Sequence, residues 1–272
     1  MPLVDCATPI GNLADVTLRV LEELRAADVV LAEDTRHTRV LLERHGISAK
    51  LLSSHEHNEA RRVADLIPRL EAGERVALVS DAGMPGISDP GALLVRAARS
   101  AGVPVTVLPG PSAVETALVA SGLVSDRYMF LGFLPRRRVE LDALWHELRG
   151  TRWPAVAFES PKRLPASLSS LAAALPEREV AVCRELTKRF EEILSGSALE
   201  VAARFAEAPK GEVTVVIGAD TGRESDADVA AAAAARDAVD RLVEAGTPRR
   251  VASEVVSGLT GVPRNDLYRS SL

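Results

Sequence analysis

The sequence predicts an α/β protein: two α/β domains, the first on a doubly wound parallel sheet and the second on a mixed sheet, followed by a small helical unit. Three observations carry this expectation. Short continuous apolar runs alternate with amphipathic stretches through residues 1–111, shorter and more β-rich segments fill 112–222, and helical patterns dominate 223–272.

The first strand reads from Leu3 to Ala7 and the first helix from Thr17 to Ala26. Val29–Ala32 is the next strand, and Thr38–His45 a helix stopped by Gly46. After a strand at Lys50–Ser53, a helix over Glu59–Ala72 is expected to kink or break at Pro68. Val76 to Val79 form the unbroken apolar run of a strand covered on both faces. Between this strand and the next helix lies Ser80–Gly91, rich in Gly, Pro and small residues, where backbone groups can approach a ligand directly. Asp89 is placed to cap that helix and Pro90 to begin it, with Leu93, Leu94, Ala97, Ala98 and Ala101 as its apolar stripe. Val105–Leu108 is a further strand, and Ser112 with Glu115 has the form of a capping box.

Beyond residue 112, strands are expected at Tyr128–Phe133, Ala155–Glu159, Glu179–Arg184, Phe190–Ser195 and Val213–Ala219. Helical patterns lie around Val139–Arg149, Leu164–Leu175 and Ala198–Glu207, so a mixed sheet follows. A polar break at Thr221–Asp228 and an alanine run lead to short helices over Asp237–Ala245, after Thr247-Pro248 and from Pro263. These resemble a helix-turn-helix; a helical clip on the main body or at a dimer contact is the alternative.

Composition narrows the function classes. A net charge of −5 argues against a protein that coats nucleic acid, and 3% aromatic residues argue against a platform on which bases stack. Local basic clusters at Arg136-Arg137-Arg138, Lys162-Arg163, Lys188-Arg189 and Arg249-Arg250 leave room for a nucleic-acid patch if they converge. The apolar runs are strand-sized and the N-terminus lacks a signal pattern, so a cytoplasmic protein without a membrane segment is expected. Cys6 and Cys183 lie in apolar runs, which suits buried thiols. His55-Glu56-His57 lacks a third ligand at metal spacing, and no metal is expected.

In a doubly wound sheet the loops after successive strands meet at one edge. Here they are Thr8–Asn12, Glu33–His37, Ser80–Gly91 and Pro109–Ala113: acids, hydroxyls and glycines, without a dinucleotide or triphosphate fingerprint or a serine-hydrolase elbow. Ala7–Leu13, Ala32–Arg36, Ser80–Gly91, Pro109–Ala113, Phe130–Pro135, Glu159–Arg163 and Cys183–Lys188 follow in one order. In that combination the chain resembles the small-subunit ribosomal RNA methyltransferase I family of the tetrapyrrole methylase superfamily, over nearly its whole length.

The resemblance implies two α/β domains of tetrapyrrole methylase type with S-adenosylmethionine in the cleft between them, and usually a homodimer. It also implies 2′-O-methylation of a cytidine ribose in the decoding region of 16S rRNA; since a chain with few aromatics and dispersed basic clusters benefits from preorganised RNA, the assembled small ribosomal subunit is the expected substrate. Pro9, Gly83, Met84, Pro85, Ser88, Asp89, Ser112 and Ala113 would then line one wall of the cofactor cleft, and Phe158, Leu186 and Val213 the other. Asp34, His37, Glu33 and His55, in or near strand-end loops, are the candidates to orient or deprotonate the ribose hydroxyl. Arg36, Arg136, Arg137, Arg138, Lys162 and Arg163 are the candidates for RNA contact. A same-fold methyltransferase acting on a corrinoid or other small acceptor, and a non-catalytic RNA-binding protein, are the competing readings.

Overall fold

Strands β1 (Leu3–Cys6), β2 (Val29–Ala32), β3 (Leu51–Ser53), β4 (Val76–Val79) and β5 (Val105–Leu108) form one parallel sheet in the order β3-β2-β4-β1-β5. The computed structural model describes residues 2–55, 58–87, 89–220 and 226–269. Every residue of β1, β2 and β4 is buried, as their unbroken apolar runs require. Alternation along the strands divides the core. Val4, Cys6, Val30, Ala32, Ala77 and Val79 pack with α1 (Leu18–Ala26) and α2 (Thr35–Arg44). Leu3, Leu31, Val76 and Leu78 pack with α3 (Glu59–Glu71) and α4 (Ala92–Ser100).

The chain leaves β1 toward β2 on one side and leaves β4 toward β5 on the other. A crevice therefore opens beyond the C-terminal ends of these two neighbouring strands.

A second sheet contains β6 (Met129–Phe133), β7 (Ala155–Glu159), β8 (Glu179–Arg184), β9 (Glu192–Ser197) and β10 (Val213–Ile217) in the order β6-β7-β10-β8-β9. Only the β6–β7 pair is parallel, so the sheet is mixed. Helices α6 (Arg138–Leu148), α7 (Leu164–Ala174) and α8 (Ala198–Arg204) bury a core around Trp145, Leu164 and Leu168. On the other face, α5 (Ala113–Ser121) packs against Val156, Ala181 and Val216, and Ile10 from the first sheet's edge joins the same cluster.

Both sheets belong to one compact unit, residues 1–220; residues 221–272 form a second. In the second unit α9 (Asp226–Glu244), α10 (Arg249–Thr260) and α11 (Arg264–Arg269) close around Ala235, Val239, Ala252, Val256 and Leu267. The alanine run lies inside α9, consistent with the high helix propensity of alanine. Among the described residues no helix is long and apolar enough to cross a membrane.

Four local expectations change. Helix α2 begins at Thr35 rather than Thr38, because the Asp34 carboxylate accepts the Arg36 N–H at 2.8 Å and starts the helix earlier. Pro68 does not break α3: it lies in the last turn, where its missing N–H removes a single hydrogen bond. Asp89 does not cap α4, which starts at Ala92 behind Gly91; Glu59 of α3 instead accepts the N–H groups of Gly91 (2.7 Å) and Leu93 (3.2 Å). Ser112 occupies the N-cap of α5, but its hydroxyl meets the Glu115 carboxylate and no capping box forms.

Candidate active site

The crevice is closed at its base by a two-way backbone bridge. Thr8, just past β1, donates its N–H to the Gly83 carbonyl at 2.8 Å, and the Gly83 N–H returns to the Thr8 carbonyl at 3.0 Å. Gly83 takes φ +80°, a conformation unfavourable for side-chain-bearing residues. The Thr8 hydroxyl adds a bond to the Ser80 carbonyl at 3.0 Å, so the start of the Ser80–Gly91 segment is held against β1. Nearby, the Asn12 N–H donates to the Thr187 hydroxyl at 2.9 Å, linking the β1–α1 loop to the loop after β8. Gly11 permits that approach: a Cβ there would lie 2.5 Å from Lys188 Cγ and 2.7 Å from the Leu186 carbonyl oxygen.

Above this base lies a cavity of about 630 Å³ between the two sheets. Ile10, Glu33, Asp81, Ala82, Gly83, Met84, Ile87 and Asp89 line it from the parallel sheet, and Ser112 to Glu115 enter from the start of α5. The mixed sheet contributes Tyr128, Phe130, Phe133, Phe158, Leu186 and residues 211–214. Thus Gly83, Met84, Asp89, Ser112, Ala113, Phe158, Leu186 and Val213 meet around one space, with Glu33. Pro9 and Pro85 are buried outside its lining, and Ser88 lies outside the described residues. His55 is also outside the lining; its N–H donates to Asn58 Oδ1 at 2.8 Å, and its Nε2 is 3.1 Å from Asn58 Nδ2.

Sequence reasoning missed the aromatic character of this cavity. The chain has two Trp, two Tyr and five Phe, yet Tyr128, Phe130, Phe133 and Phe158 all face the one space. Phe158 makes T-shaped contacts with Phe130 at 5.1 Å and with Phe133 at 5.5 Å between ring centroids. A low overall count concealed a local concentration. Phe130 and Phe133 read as part of a strand and of a family motif, and the register shift between them on β6 is what lets both rings reach the cavity.

The acidic side is equally structured. Burial pushes the Asp89 carboxyl up to about 7, helped by the negative charges of Glu33 and Asp81. Burial and Asp81 also raise Glu33 above the usual carboxylate range. Asp34 moves the other way: Arg36 grips its carboxylate with Nε at 3.0 Å from both oxygens, and hydrogen bonding holds Asp34 well below the usual range. Asp34 therefore caps and pairs rather than offering a basic oxygen. Asp81, absent from the sequence-based candidates, accepts the Asp34 N–H at 3.0 Å and the His37 ring Nδ1 lies 3.1 Å from its other oxygen. Donor atoms of Asp34, His37 and Asp81 lie within 4.8 Å of one another, with the Arg36 guanidinium already supplying positive charge beside them.

The tetrapyrrole (corrin/porphyrin) methylase family model matches residues 6–202. A protein of Mesorhizobium japonicum called ribosomal RNA small subunit methyltransferase I is 44% identical over 277 aligned positions, covering 98% of this chain and 90% of the relative. The chain belongs to the ribosomal RNA small subunit methyltransferase I family, within the tetrapyrrole methylases. A Thermotoga maritima relative of the same name is 44% identical over 219 positions, 79% of this chain but 97% of that protein. The uroporphyrin-III C-methyltransferase of Thermus thermophilus, solved in complex with S-adenosylhomocysteine, shares the fold at TM-score 0.55 and 17% identity, covering 79% of this chain and 97% of that one.

In this rRNA methyltransferase I family member the basic candidates differ in setting. Arg136, Arg137, Arg138 and Lys162 are exposed, with Arg137 3.5 Å from Glu140 and Arg138 3.2 Å from Asp142. Arg163 turns inward instead. Its guanidinium donates to the carbonyls of Leu134 (3.1 Å) and Pro135 (3.3 Å) and pairs at 2.5 Å with the buried Glu159. Glu159 also accepts the Ser160 N–H and the Ser167 hydroxyl, both at 2.5 Å. The Glu-Ser-Pro-Lys-Arg stretch thus braces the loop after β6.

Proposed function

We propose that this chain methylates the ribose 2′-oxygen of a cytidine in the decoding region of 16S rRNA, using S-adenosylmethionine. The observation that carries the reading is near-full-length similarity to proteins named ribosomal RNA small subunit methyltransferase I, joined to a cavity whose chemistry suits that reaction.

The residues present fit the donor. At about 630 Å³ the cavity has the size of a cofactor pocket, which typically spans roughly 300–1,000 Å³. Backbone at Gly83 and Met84 and the Ser112 hydroxyl offer hydrogen-bonding groups, whereas Leu186, Val213 and Phe158 offer apolar walls. Bound there, S-adenosylmethionine would supply a methyl group activated by its positive sulfonium. Glu33, Asp81 and Asp89 make the parallel-sheet side favourable for a cation.

The acceptor hydroxyl has to lose its proton as the oxygen attacks. Asp89 is the base we assign, since a carboxylate held near 7 has useful proton affinity at neutral pH and lines the cavity. Glu33 and Asp81 lie along the same wall, and His37, outside the lining and 3.1 Å from Asp81, would help orient the ribose or a water beside it. Arg36, Arg136, Arg137, Arg138 and Lys162 would meet phosphates, with Arg163 setting the loop from within. We further propose a homodimer acting in the cytoplasm on the assembled small subunit.

Incubation with methyl-labelled S-adenosylmethionine and either small ribosomal subunits or a corrinoid mixture tests the reading. Label on one 16S cytidine ribose is expected; label confined to the corrinoid fraction sinks it. Sedimentation of the free protein checks the dimer.

A further inference from the structure

Phe133 is the last residue of β6, lines the cavity and yet leaves 59% of its surface to solvent. A large apolar ring left so open while lining a cavity has most of its surface uncovered by the described residues. A T-shaped contact with Phe158 holds the ring on one side, at 5.5 Å between centroids. The following residues, Leu134 and Pro135, are tied down by the Arg163 guanidinium, itself paired with the fully buried Glu159 carboxylate. Immediately beyond them come the exposed Arg136 and Arg137. Aromatic face, braced backbone and cationic flank therefore occur together within five residues, 133–137.

From this juxtaposition we propose that Phe133 is the stacking platform for the unstacked nucleobase of the acceptor nucleotide, with the Arg136-Arg137 loop taking its flanking phosphate. The inference rests on the RNA-methylation reading above and specifies how the acceptor is held. A ribose buried in a helix cannot present its 2′-oxygen deep in a cleft between two sheets, and a splayed nucleotide can. The base needs a π-face to replace the stacking it gives up, and Phe133 provides one. The Glu159–Arg163 brace removes loop freedom before RNA arrives, so less entropy is lost on binding.

The test measures methyl transfer to small ribosomal subunits and, separately, S-adenosylhomocysteine binding by calorimetry, for the native protein, Phe133→Ala, Phe133→Tyr and Arg136→Ala. Phe133→Ala should lower kcat/KM for subunits about 5- to 150-fold, the factor that corresponds to one stacked base at about 1–3 kcal/mol, with cofactor affinity unchanged. Phe133→Tyr should restore transfer to near the native rate, and Arg136→Ala should weaken subunit binding at low salt and make it fall less steeply as salt increases. Unchanged kcat/KM in Phe133→Ala overturns the proposal. So does a parallel loss of cofactor affinity, which would put the ring in the donor pocket. Absence of transfer by the native protein would instead overturn the underlying reading, and is seen before any variant is compared.

Discussion

Asp5 and Asp89 carry the same carboxyl group, and burial raises both to about 7, with different consequences. Asp89 faces the cavity, where a high proton affinity is useful. Methyl transfer should rise with pH through about 7 as it ionises, and Asp89→Asn should abolish that limb and lower the rate by about 10²–10⁴-fold in single-turnover assays. Asp5 sits in the middle of β1 with Oδ1 buried and unpaired among the described residues. Its folded-state value exceeds the ordinary 3.8, so the native state keeps a proton that the unfolded chain has lost. Stability therefore falls as pH climbs from about 4 to about 7 and stays lower above that. Asp5→Val should stabilise the fold more in mild alkali than in mild acid, by up to about 4 kcal/mol at 1.36 kcal/mol per pKa unit, and so raise Tm more in alkali. Equal gains in thermal melts at both pH values would refute it.

Helix α4 shows what a single element takes from elsewhere. Its first N–H groups are satisfied by Glu59, more than thirty residues earlier, rather than by a local cap. Glu59→Ala should cost about 1–3 kcal/mol in denaturant unfolding by leaving these donors unpaired. Asp89→Asn, by contrast, should not lower unfolding stability at neutral pH and should raise it, since Asp89 is no cap and its buried, raised carboxyl weakens the fold once ionised. The apolar runs of β1, β2 and β4 were legible because burial on both faces imposes one composition over several residues. The cap on α4 was not, since it depends on two helices meeting. The cavity divides the same way. Gly83 and Ser112 announce themselves through local loop chemistry, whereas Asp81, Tyr128 and Phe133 become site residues only when two sheets face one another. Arg163 read as one more surface cation because nothing local records its buried partner Glu159.

At the scale of the whole molecule, both sheets and every residue lining the cavity fall within residues 1–220. The Thermotoga relative aligns over 219 positions that make up 97% of it, a length close to that of this unit. A chain ending at Asp220 should therefore fold and bind S-adenosylhomocysteine within about threefold of the full protein, a margin worth about 0.7 kcal/mol, as measured by calorimetry. Loss of binding would show that the terminal helices support the cavity. The paired hydrogen bonds between Thr8 and Gly83 carry a kinetic consequence. A segment riveted to the turn just past β1 makes a poor door: swinging it outward would break both bonds at once. Exchange of spent for fresh methyl donor then proceeds by diffusion through a permanently open entrance, so ligand association should follow a single exponential whose rate grows linearly with ligand concentration, with no gating plateau.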